Sequence, residues 1–195
     1  MEARPRIFLH VCCAPCLSGV IPALEGEGIS FSGWFYNPNI HPLLEFRKRI
    51  KALRVLQSRL GFEIAIDDNY GLEPFLNLLA GRWGRDRCEL CYAHRLNAAA
   101  KRAAGQGFGS FSTTLLISTE QNHEMIASYG QQAARSAGIE FLYRDFRPFR
   151  DRGRELARKA NLYRQQYCGC IFSECERYIN SPEELYRGAT GPVSE

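Results

Sequence analysis

A chain of 195 residues with 45% hydrophobic and 24% charged side chains can bury a sizeable core, so it has no need of disulfide staples to fold. The net charge of +4, from 25 basic and 21 acidic residues, is too mild to name a partner by itself. No stretch reaches the ~20 apolar residues of a membrane span, and no membrane association is expected.

Arg6–Val11 reads as a strand that ends at Cys12-Cys13, with a helix starting near Pro15, a residue favoured in the first helical turn. Arg4 and Arg6 ahead of this run faintly suggest a secretory leader, but His10, three cysteines and two prolines interrupt it. A cytoplasmic location, where thiols stay reduced, is the better expectation. Phe31–Tyr36 is a second strand, stopped by Asn37-Pro38-Asn39. Leu43, Phe46, Ile50, Leu53, Leu56 and Leu60 recur at three- and four-residue steps and predict a long helix. Phe62–Ile66 is a third strand, followed by a short helix near Leu72–Leu79. Gly81–Asp86 is a polar loop delivering Cys88 and Cys91, ahead of a helix from about Tyr92 to Ala104. Phe111–Ile117, a helix over Glu124–Ala137, a strand at Ile139–Tyr143 and a helix at Gly153–Leu162 complete the series.

Alternating strands and helices predict an α/β fold, a mostly parallel sheet flanked by helices. One domain is expected over residues 1–180, with a tail at 181–195. Ligand sites in such folds gather outside the carboxyl ends of the strands. That rule puts Cys12 and Cys13, Asn37 to His41, Ser118 to His123, and Asp145 to Arg147 on one rim.

The eight cysteines fall in short-range groups, a spacing that suits metal or redox sites better than a framework of staples. Both thiolates of Cys12 and Cys13 can reach one cofactor only if the backbone turns there, because side chains alternate along a strand. Cys16, in the first turn of the helix, is expected to have a lowered pKa. Cys88 and Cys91 complete a four-thiolate set that zinc and a 4Fe–4S cluster both accept. Cys168-Gly169-Cys170 is either a strained, easily reduced disulfide pair or a pair of ligands to a second metal. Cys175 has no evident partner and reads as structural.

The polar rim segments have structural readings too: Ser112-Thr113-Thr114 as a half-buried strand, and Gln121-Asn122-His123 as a helix cap. Eight basic residues against three acids lie between Arg144 and Arg164, among them Arg147, Arg150, Arg152 and Arg154. Tyr143, Phe146, Phe149, Tyr163 and Tyr167 are interleaved with them. Cations for phosphates beside aromatics for unpaired bases make a nucleic-acid pattern, though a solvated face has the same composition.

Six segments stand in one order: HVCCAPC at 10–16, FYNPNIH at 35–41, RCELCY at 87–92, FSTTL at 111–115, DFR at 145–147 and YCGC at 167–170. In these the chain resembles the cobalamin-independent epoxyqueuosine reductase (QueH) family, from about residue 6 to 175. The resemblance implies reduction of epoxyqueuosine to queuosine at the wobble position of a tRNA, with an electron donor whose identity it leaves open. It implies a 4Fe–4S cluster on Cys12, Cys13, Cys88 and Cys91, a redox pair at Cys168 and Cys170, and room for a second mononuclear iron, with Cys16 as a further ligand. It also implies a sheet like that of PP-loop nucleotide-binding proteins, but CCAPC stands where their Ser-Gly-Gly phosphate loop would be, which argues against ATP use. His10, Tyr36, Asp145 and His123 are the candidates to protonate the departing oxygen; Tyr36, Asn37, His123, Arg147 and the arginines at 150, 152 and 154 are candidates to hold the substrate. Two competing readings are a zinc-stabilised nucleic-acid-binding module and an iron–sulfur enzyme that thiolates tRNA.

Overall fold

The computed structural model describes residues 5–62 and 64–181. The tail expected at 181–195 therefore lies, apart from Ser181, outside the described residues. Five strands, β1 (Arg6–Val11), β2 (Ser30–Phe35), β3 (Ile64–Ile66), β4 (Ser110–Thr113) and β5 (Glu140–Phe141), form one sheet in the order β3-β2-β1-β4-β5. Every pairing is parallel, so the fold is the α/β architecture expected from the alternating pattern. Ile7, Phe8, Leu9 and Val11 are all buried, as a central parallel strand with both faces covered requires.

The helices are α1 (Ala14–Gly26), α2 (Leu43–Leu60), α3 (Leu72–Leu79), α4 (Arg87–Gly105), α5 (His123–Ala137), α6 (Arg150–Lys159) and α7 (Ile171–Tyr178). Helix α2 buries Phe46, Ile50, Leu53 and Leu56 from the centre of the periodic stripe, while Leu43 is half-buried and Leu60 is 52% exposed, and it ends where Gly61 turns left-handed at φ 67°. Asn122 caps α5 by accepting the Met125 N–H at 2.9 Å, the structural role expected of that segment. No helix among the described residues is long and apolar enough to cross a membrane.

Several boundaries differ from those the sequence suggests. β4 stops at Thr113, because its side chain accepts the Leu115 N–H and folds Thr114–Ile117 into a 3-10 turn. Ser112, Thr113 and Thr114 are fully buried rather than half-buried. Helix α4 begins at Arg87, so Cys88 and Cys91 lie in its first two turns and not in a loop. The Arg87 side chain makes this possible by donating back to the carbonyls of Trp83 and Gly84, at 3.0 and 2.7 Å. Helix α6 starts at Arg150, ahead of Gly153, and α7 follows directly on Cys170.

Helices α1 and α6 meet at a pair of glycines. A Cβ on Gly153 would lie 2.8 Å from both the Cα and the N of Gly19. Alanine normally improves a helix interior by ~1 kcal/mol over glycine, but here it meets backbone that cannot swing away. Gly153→Ala is therefore expected to destabilise the fold by ~1–3 kcal/mol. A urea midpoint equal to or above that of the wild type would show the crossing to be looser than this.

β1 continues through α1 to β2 on one side, while β4 flanks it on the other. The carboxyl ends of β1 and β4 thus frame a topological switch point, the crevice where open α/β sheets bind ligands. Across that crevice the Cys12 N–H donates to Thr114 Oγ1 at 2.9 Å.

Candidate metal and redox centre

The first cysteine group sits in the crevice. Cys12 follows β1, Cys13 caps α1 in an extended conformation, and Cys16 lies in its first turn. The Cys12 and Cys13 sulfurs are 3.8 Å apart, and all three lie within 4.8 Å of one another. Three thiols this close together can all face one metal centre, mononuclear or cluster. Thr114 Oγ1 donates to Cys12 at 3.1 Å and Gln165 Nε2 to Cys13 at 2.8 Å.

The easily ionised thiol is Cys12, not Cys16. Hydrogen bonds from Cys13, Cys16 and Thr114 hold the Cys12 pKa well below its ordinary value. Cys16 is pushed up instead, chiefly because its bonds to Cys12 and Cys13 stabilise their thiolates at its expense, with burial adding to the rise. Burial raises Cys13 as well. The helix N-terminus is outweighed by competition among three crowded thiols.

The second group gathers Cys88 and Cys91 on α4 with Cys168 and Cys170. Cys170 is buried with Phe75 and Leu79, and Leu90, Cys91 and Phe172 pack against that cluster. Cys168 is exposed, its sulfur 2.9 Å from Ser173 Oγ. Burial pushes Cys91 up to about 12 and raises Cys88 and Cys170 too. All eight cysteines are free thiols.

Gly169 has φ +118°, and a Cβ there would lie 2.8 Å from Ile40 and 3.1 Å from Arg49 Nη1. Only glycine fits both the backbone and the space. The loop is held on both sides. His41 N–H donates to the Gly169 carbonyl at 2.7 Å, and Tyr167 OH to the His41 carbonyl at 2.6 Å. The buried Arg49 donates to the carbonyls of Cys168 and Tyr167, at 2.9 and 3.0 Å, and pairs with Glu45 at 2.7 Å.

Two buried guanidinium groups connect the thiol groups. Arg49 feels the charges of Cys13 and Cys168. Arg95, 3% exposed, lies 3.9 Å from the Cys91 sulfur, donates to Asn37 Oδ1 and lowers the Cys12 pKa. Among the described residues Arg95 has no carboxylate partner, and its Nε has no hydrogen bond. A buried cation without an anion is costly, and metal-bound thiolates would supply the missing negative charge. By donor type, spacing and compensating charge, the residues fit a thiolate-bound metal centre.

The remaining candidates divide. His10 is fully buried, with Nδ1 2.8 Å from Thr113 Oγ1 and Nε2 3.0 Å from the Tyr36 carbonyl. Burial lowers its pKa to about 3, so it is neutral, with both ring nitrogens engaged in bonds that join β1, β2 and β4. Tyr36 OH is 2.8 Å from His94 Nε2, and both line a cavity of about 250 Å3 with Asn37, Asp67, Asn69 and Phe75. Asn37 also anchors the rim, donating to the Val11 carbonyl at 2.9 Å. His123, Asp145 and Arg147 form their own group on the β5 side, with no hydrogen bond to a cysteine among the described residues. Hydrogen bonds from Arg147 hold the Asp145 carboxyl at about 2, so it is ionised at neutral pH. Arg152 and Arg154 are exposed on α6 and Arg150 is half-buried.

Four residues of this centre, Arg95, His94, Arg49 and Gln165, carry no motif that singles them out in the sequence. His94 and Arg95 follow Cys91 by three and four residues, the spacing that puts side chains on one helix face, and that signal could have found them. Arg49 reads in sequence as one more cation on the solvated basic face of α2.

The family model for epoxyqueuosine reductase QueH matches residues 7–176. A curated relative of that name from Dehalococcoides mccartyi is 39% identical over 181 residues, covering 91% of this chain and 98% of its own. Another from Thermotoga maritima is 33% identical over 185 residues, covering 88% and 91%. One from Haemophilus influenzae is 32% identical over 180 residues, covering 88% and 73%. The match runs from within β1 into α7 and takes in all eight cysteines, and the chain belongs to the epoxyqueuosine reductase QueH family.

Proposed function

We propose that this chain reduces epoxyqueuosine to queuosine in the wobble position of a tRNA, and the family match over residues 7–176 carries the reading. Neither the zinc-stabilised binding module nor the tRNA thiolation enzyme gains support from that match. Converting an epoxide to an alkene and water consumes two electrons and two protons. Two thiols closing to a disulfide release both, so Cys168 and Cys170 balance the reaction in one step. The exposure of Cys168 and the left-handed bend at Gly169 support this role.

We assign a 4Fe–4S cluster to Cys12, Cys13, Cys88 and Cys91, with Cys16 left as a ligand for a second iron. When bound, iron supplies electron transfer and a Lewis acid for the epoxide oxygen. Arg95 and Arg49 balance the thiolate charge, and neutral His10 fixes the rim by holding the Tyr36 carbonyl. The cavity beside Tyr36 and His94 receives the modified base, and their hydrogen-bonded pair passes a proton to the departing oxygen, a role their contact supports.

The test is complementation of a bacterium that accumulates epoxyqueuosine in its tRNA. Expression of this chain should convert the nucleoside to queuosine by mass spectrometry, and unchanged epoxyqueuosine in cells holding the folded protein would refute the reading. Binding to tRNA should weaken with salt. Replacing Arg150, Arg152 and Arg154 with Ala should flatten the slope of log affinity against log salt by about 0.7–0.9 for each phosphate no longer neutralised. An unchanged slope would make α6 a solvated face.

A further inference from the structure

The loop before α4 carries Arg82, Trp83 and Arg85, all exposed, and Trp83 is 51% exposed despite its size. A single exposed ring needs no occupant by itself, so the question is how this one is held and what surrounds it. Trp83 is not loose. Its ring stacks on Phe172 at 5.2 Å with 30° between the planes, and its carbonyl accepts from Arg87 at 3.0 Å. The Arg87 guanidinium in turn lies 5.4 Å from the Phe172 ring centre and pairs with Glu176 at 2.6 Å.

This stack adjoins the thiols. Phe172 is two residues from Cys170 and packs on the cluster that holds Cys170 and Cys91. Arg87 immediately precedes Cys88 at the start of α4. An exposed indole on a rigid base, flanked by the exposed cations of Arg82 and Arg85, is the chemistry that receives an unpaired nucleobase and its phosphates.

We infer that Trp83, backed by Phe172, is a stacking platform for an unpaired anticodon-loop base next to the nucleotide undergoing reduction. The inference rests on the proposed tRNA substrate. It makes the cavity beside Tyr36 and the Trp83 platform successive stations along one strand, with the thiol loop beside both. Arg82 and Arg85 contact the phosphates, and specificity for a single-stranded loop over a duplex follows, because bases stacked inside a helix present no free face.

The chain has two tryptophans, and the other, Trp34, is 5% exposed. Acrylamide reaches Trp83 and not the buried Trp34, so the acrylamide-quenchable part of the intrinsic fluorescence reports on Trp83 without labels. Titrating the metal-loaded protein with an unmodified anticodon stem–loop should quench the emission and protect it from acrylamide, whereas a blunt RNA duplex of equal length should do neither. Trp83→Ala should weaken stem–loop binding by about 5- to 100-fold, Trp83→Phe should recover most of it, and Arg82→Ala with Arg85→Ala should lower the salt slope. Emission already shielded from acrylamide in the free protein would show another part of the chain on the platform and overturn the inference. So would equal quenching by duplex, or unchanged affinity in Trp83→Ala. Because binding is read on unmodified RNA, these results stand apart from whether the epoxide is reduced.

Discussion

Cys170→Ser is expected to abolish multiple turnover, by on the order of 1,000-fold or more, the scale seen when a reacting group is deleted. The bound iron should survive, because Cys12, Cys13, Cys88 and Cys91 are untouched. A serine hydroxyl can be accommodated at this site, since burial raises the Cys170 pKa and the N–H groups of Phe172 and Ser173, which face the sulfur, only offset part of that rise. Cys168→Ser should behave alike, while Cys175→Ser, which changes an exposed thiol outside both groups, should turn over as the wild type does. If Cys170→Ser loses iron and keeps its residual rate, the pair are ligands of a second metal and the electrons come from elsewhere.

Arg49→Ala should cost ~3–5 kcal/mol of stability, because it leaves the buried Glu45 carboxylate with only the Tyr163 hydroxyl and no cation, and the Cys168 and Tyr167 carbonyls without their donor. Lysine keeps the charge but not the fork, so Arg49→Lys should retain part of the stability and lose the geometry of the loop. Changing Arg49 and Glu45 together to Met should recover part of the stability, since an apolar pair of similar volume replaces the charges. Turnover should stay low in the double variant, because the tether of the Cys168 loop is still missing. Urea unfolding reads the first effect and the alkylation rate of Cys168 the second. A loss below ~1 kcal/mol in Arg49→Ala, with Cys168 no more reactive, would remove Arg49 from this role.

The scaffold is legible in the sequence where burial is one-sided or continuous. β1 shows as an apolar run, and α2 as a stripe of Leu, Ile and Phe closed by Gly61. The elements that are not legible depend on partners distant in sequence. Helix α4 starts early because Arg87 bonds back to its own loop and pairs with Glu176 on α7. Helix α7 is eight residues with no side-chain cap, and it is held by packing of Phe172 against Trp83 and the Cys170 cluster. Spacing reveals the cysteine groups but not their environment. It cannot show that Arg49 and Arg95 fold inward from basic helices to face thiols, because an arginine on a helix looks the same in sequence whether solvated or buried. Nor can it show that three thiols share protons so that Cys12, and not Cys16, is the one held low.

In this reading the chain reduces epoxyqueuosine with electrons from its own thiols. The direct test is a single turnover without oxygen, using iron-loaded, reduced protein in excess over tRNA carrying epoxyqueuosine and no added donor. The expected result is queuosine by nucleoside mass spectrometry, with two thiols consumed per product and both mapping to Cys168 and Cys170. Epoxyqueuosine left intact by fully loaded, reduced protein that binds the tRNA would contradict the claim.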